Sequence, residues 1–72
     1  MTKEAVHEAV RATPFRPFVV RMADGSSYPV PSPDHASLSP NGRTLIVYGD
    51  QDRIKILDVM MITEIDTTQA AA

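Results

Sequence analysis

The hydrophobic period of this chain changes once, at a stretch that neither a helix nor a strand can run through. Residues 13–18 read TPFRPF, holding two prolines, both phenylalanines of the chain and one arginine. Before it, Ala5, Val6, Ala9 and Val10 recur at helical spacing, with Lys3, Glu4, His7, Glu8 and Arg11 mostly on the other side. Thr2 offers a hydroxyl to the first free amides, and Thr13, preceding a proline, is biased away from helical geometry. A short amphipathic helix is therefore expected over residues 3–12. After the stretch, Phe18, Val20 and Met22 alternate with Val19 and Arg21, as in a half-buried strand. Pro14 and Pro17 form a PxxP, which in polyproline II geometry sets them on one side and Phe15 and Phe18 on another. Clamped between two elements, the stretch reads as a stiff corner rather than a ligand. Its phenylalanines are expected to plug the core, with Arg16 outward.

Turn signals then follow closely. Asp24-Gly25 marks a tight hairpin, and Tyr28 and Val30 continue the alternation on a return strand. Pro29 and Pro31 cannot donate to a ladder, so this strand is expected at a sheet edge or to leave the sheet early. Asn41-Gly42 closes the loop PSPDHASLSPNGR, within which Ala36–Leu38 suits a brief strand. TLIVY, the most apolar run, reads as a central strand buried on both faces. RIKIL alternates cleanly, predicting Ile54 and Ile56 inward and Arg53 and Lys55 outward. Asp58 suits the start of a tight turn. Beyond it, Met61, Thr63 and Ile65 alternate against Ile62 and Glu64, and period alone leaves the facing of residues 59–65 open. The expectation is an α+β domain over residues 1–66, a short N-terminal helix followed by about five short antiparallel strands. These would form either a small SH3/Sm-like barrel or a strongly bent sheet. Residues 67–72 lack anchors and are expected to form a flexible tail.

At 72 residues the chain is one domain, and a core this small leaves a thin stability margin. With no cysteine, disulfides and thiolate metal sites are excluded, which leaves self-association as the route to added stability. The net charge of −2 comes from scattered residues, with no basic stripe of the kind a nucleic-acid binder carries. No segment approaches a membrane span, and MTKEAVHEAVRA lacks the apolar core of a signal peptide. A cytoplasmic, bacterial-type protein without membrane, cofactor or metal is expected.

Candidate sites are few. Asp34 beside His35, with Ser37 and Ser39 nearby, supplies a carboxylate, an imidazole and hydroxyls. Triad chemistry needs spatial convergence that adjacency does not provide, and such residues in a proline-rich loop commonly stabilise turns. Asp50 and Asp52 resemble the start of a calcium loop, but the third ligand position falls on Ile54. Arg16, Arg21, Arg43 and Arg53 are candidates for one interaction surface, or else outer strand positions that discourage edge pairing. Met60 and Met61 suit core or subunit packing. No convergent catalytic set emerges, so the chain is not expected to be an enzyme.

The motifs PFRPF, ADG, VPSPDHASLSPNGR and ILDVMMITEI, spread over residues 14–65, resemble those of short uncharacterised bacterial proteins. That resemblance implies a shared fold and carries no activity. More loosely, the element order resembles Sm-like and SH3-like small barrels. The Sm-like group implies RNA binding, yet Ser37 stands nearest the family's base-contacting asparagine, and Lys55 is followed by Ile56 where the bacterial branch has histidine. The functional expectation is a non-enzymatic protein-interaction module that self-associates, with Sm-like RNA binding as the alternative.

Overall fold

The computed structural model describes residues 1–67. Helix α1 spans Lys3–Arg11, and its cap is the expected one: Thr2 Oγ1 accepts the Ala5 amide at 3.2 Å. Ala12 is already extended, one residue before the Thr13-Pro14 step, which ends the helix. Val6 is buried, and Ala5, Ala9 and Val10 are half-buried around it, so the apolar stripe is the docking face.

Among the described residues six strands follow: β1 (Phe18–Met22), β2 (Ser27–Val30), β3 (Ala36–Leu38), β4 (Thr44–Tyr48), β5 (Ile54–Asp58) and β6 (Ile62–Asp66). They form two three-stranded antiparallel sheets ordered β2-β1-β6 and β3-β4-β5. The α+β class is as expected, with Ala36–Leu38 as the sixth strand. Pro29 lies on β2, an edge, where its missing donor costs no ladder bond to a further strand. One cluster, including Val6, Phe18, Val20, Val30, Leu45 and Ile62, joins the helix and both sheets. It contains no buried polar side chain among the described residues.

The turns supply the conformations that their residues predict. At Asp24-Gly25, Gly25 sits at φ +91°, and the Asp24 carboxylate accepts both the hydroxyl and the amide (2.9 Å) of Ser26. The hydroxyl contact first, then the amide, hold the Asp24 carboxyl below the usual carboxylate range. A folded-state pKa depressed this way adds stability above the unfolded value of about 3.9, and that stability is lost as pH falls through the folded value. Asp24→Asn is therefore expected to flatten the acid limb of a urea-midpoint profile taken between about pH 5 and pH 2. An unchanged limb would mean that the contact contributes nothing. At the second turn, Gly42 (φ +75°) lies under the helix, where an added Cβ would stand 2.7 Å from Lys3 Cβ. Close approach and backbone both call for glycine there.

Three facings differ from the sequence reading. β4 is buried on one face only: Leu45 and Val47 point inward, while Ile46 is half-buried and Tyr48 exposed. Its register pairs Leu45 with Leu57 and Ile46 with Ile56, so Leu57 goes inward, and Ile54 and Ile56 are carried outward at 50% and 67% exposure. Paired residues share a face, and the buried Leu45 decides the facing of the whole hairpin. Lys55, paired with the buried Val47, falls in the inner row rather than on the outward side expected of it, although its side chain is exposed. Met60 and Met61, expected in core or subunit packing, are exposed.

Residues 59–65 are resolved by two local devices. Asp58 caps a 3₁₀ turn over Val59–Met61, its Oδ1 accepting the Met60 amide at 2.9 Å, and Val59 is buried. A β-bulge follows: Val20 faces Ile65 and Arg21 faces Glu64, but Met22 faces Ile62. The extra residue turns Ile62 into the core, and Ile65 packs against the same cluster from an odd spacing. Across the same ladder, Arg21 pairs with Glu64 (2.8 Å) and Asp66 (3.0 Å).

Candidate functional site

The hairpin register creates a sheet face on which Tyr48, Ile54 and Ile56 stay exposed among the described residues. On the outer side of β3-β4-β5, Ser37, Ile46 and Ile56 form one row, and Tyr48 and Ile54 the next. Tyr48 and the two β5 isoleucines are exposed. The remaining row, Thr44 and Asp58, carries the one charge in these three rows, and that carboxylate is engaged in its cap. Met60, 78% exposed, extends the apolar surface past the end of β5. Among the described residues β5 pairs with β4 alone, so its other edge presents backbone donors and acceptors. An apolar face beside an open strand edge is what an adhesive surface requires.

The sequence-predicted site residues are dispersed by the fold. Asp34 and His35 lie in a 3₁₀ turn over Pro33–His35, and the His35 ring contacts Ser32, with Nδ1 2.8 Å from Oγ. Asp34 is exposed, and Ser37 points to the outer face of the sheet opposite Ile46. The pairing of His35 is thus with a serine three residues earlier, a local turn contact. Among the arginines, Arg21 is held by Glu64 and Asp66. The hydrogen bond to Asp66 is the largest influence raising its pKa, so it remains charged throughout. Arg16, Arg43 and Arg53 each line a different surface recess. Among the described residues no group of three or more histidine, aspartate or glutamate side chains is placed to hold a metal.

One recess gathers polar groups from separate elements. It is a cleft of about 470 Å³ at the end of the two sheets, lined by Tyr28 of β2, His35, Val47 of β4, the 49–51 turn, Arg53 and Lys55. Tyr28 lies opposite Val20 and Lys55 opposite Val47, both buried, so each belongs to the inner row of its sheet. Tyr28 and Lys55 were not singled out as site residues by the sequence. The available signal was the spacing Arg53-x-Lys55, which places two cations in one row of an edge strand. Among the described residues, no helix is long and apolar enough to cross a membrane. Comparison with protein-family models, with curated proteins and with solved structures finds no match to this chain.

Proposed function

We propose that this protein acts through protein–protein contact and that its first partner is a second copy of itself, joined through the outer face and free edge of β5. The observation that carries this reading is the exposure of Ile54 and Ile56 in adjacent rows of an edge strand. Fully burying an isoleucine is worth about 1.5–3 kcal/mol, so covering these half- to two-thirds-exposed side chains returns about 1–2 kcal/mol each. Four of them across a two-fold interface supply about 4–8 kcal/mol, similar to the lower end of the cost of association, about 4 kcal/mol or more. Tyr48, Met60 and pairing of the β5 edges add the remainder. A weak, concentration-dependent dimer is the expected state. A two-fold pairing also covers both exposed edges with the same contact. Two small sheets around one core support reading the fold as an SH3/Sm-like barrel divided into halves, within which β5 is a rim strand.

Sedimentation equilibrium at micromolar and higher concentrations tests this. The native chain is expected to self-associate, and Ile56→Arg, which sets a charge on the exposed face without touching the core, is expected to be monomeric at every concentration. A native chain that stays monomeric throughout would overturn the proposal.

A further inference from the structure

We infer that the cleft between the two sheets is a binding site for a small phosphate-bearing ligand with an apolar or aromatic body. The inward rows of both sheets end in this cleft, and inward positions elsewhere in the protein are aliphatic or aromatic. Here they carry Lys55 and, continuing the β5 row, Arg53. Neither cation has an ion pair among the described residues, and the one carboxylate described in the lining is that of Asp50. The hydroxyl of Tyr28 has no hydrogen-bond partner among the described residues either. These are three donors from two sheets that line one space, the two cations open to solvent and so accessible to a ligand. Arginine and lysine side by side match a phosphate dianion, with charge-assisted hydrogen bonds from both.

The floor is suited to approach. Gly49 donates its amide to the Arg53 carbonyl at 2.8 Å, which continues the β4–β5 ladder and places Gly49 in the same row as the cations. Lacking a side chain, it leaves space beside Arg53, and Val47 supplies an apolar surface next to it. Tyr28 reaches the cleft from the other sheet, while His35, in the turn just before β3, lies on the β3-β4-β5 side, where the contact between its Nδ1 and Ser32 fixes one edge of the imidazole. An anionic group on the β5 side and a flat or apolar body on the Tyr28 side is the ligand that this arrangement fits.

The inference does not rest on self-association: Ile54 and Ile56 lie on the outer rows and do not line the cleft, and Tyr48 alone borders both surfaces among the described residues. It is therefore tested on the Ile56→Arg chain as well as on the native one. Amide chemical shifts are followed while inorganic phosphate, and separately phenyl phosphate, are added at constant ionic strength. Saturable shifts are expected at Val47, Gly49, Arg53 and Lys55, with phenyl phosphate the tighter of the two. The double substitution Arg53→Gln and Lys55→Gln is expected to weaken both by about ten-fold or more. Gly49→Val fills the floor and leaves the charges in place. Its backbone is in an ordinary extended region and a Cβ there meets only ordinary contacts, the nearest at 3.7 Å. It is expected to abolish the phenyl phosphate preference. Shifts that rise linearly without saturation, that fall elsewhere on the surface, or that persist in both variants would overturn the site.

Discussion

Replacing Phe18 by alanine is expected to cost about 3–5 kcal/mol, the range for emptying a buried phenylalanine site. Phe18 is fully enclosed, at 1% exposure, where the connector meets β1. For 72 residues at about 0.05–0.15 kcal/mol each, total stability is about 4–11 kcal/mol, so this substitution removes about a quarter of it or more. The Phe15 ring stands 5.8 Å from that of Phe18, tilted by 48°. Phe15 is only half-buried, so Phe15→Ala should cost less, mainly the aromatic contact of about 0.5–1.5 kcal/mol and part of its burial. Arg16, between them, is exposed, and Arg16→Ala should stay within about 0.5 kcal/mol. Urea denaturation of the three variants checks the ordering. If Phe18→Ala kept native stability and lost only self-association, the corner would be a recognition element and the packing account would fail.

The second large effect separates two isoleucines. Ile62→Ala is expected to cost about 2–5 kcal/mol, because the bulge in β6 turns Ile62 into the core at 1% exposure. Ile56→Ala, measured at a concentration too low for association, should change stability by no more than about 0.5 kcal/mol. A costly Ile56 would mean that β5 pairs one residue out of register, since such a slip exchanges its faces, and a harmless Ile62 would mean the same of β6.

The reasons why some of this was legible in the sequence and some was not are physical. The helix, its Thr2 cap, the corner at Thr13–Phe18, the Asp24-Gly25 turn and the edge position of the proline-bearing strand are all local consequences of residue chemistry, and a local reading reaches them. The facing of β5 is not local. RIKIL carries apolar residues in both rows, Ile54 and Ile56 in one and Leu57 in the other, so alternation has two solutions. The pairing of Leu57 with Leu45 selects one of them. Residues 59–65 were ambiguous for a related reason, because a bulge breaks the period on which the reading depends. The cleft was invisible because Tyr28 and Lys55 meet only through the packing of one sheet on another. Asp34 and His35, by contrast, were visible as neighbours but are not bonded to one another. The expected tail over residues 67–72 lies, apart from Thr67, outside the described residues.

The wholly apolar interior has a consequence for how this protein tolerates change. A core without polar partners contains no hydrogen-bond geometry that only one residue can satisfy, so aliphatic side chains of similar volume can replace one another there at modest cost. The positions that admit few alternatives lie between the elements instead: Gly25 and Gly42 by backbone conformation, and the Thr2 and Asp58 caps by chemistry. In a saturation library, the inside should therefore accept many aliphatic solutions, while the punctuation between strands stays nearly fixed. The identity of this fold is carried more by where the chain bends than by what it encloses.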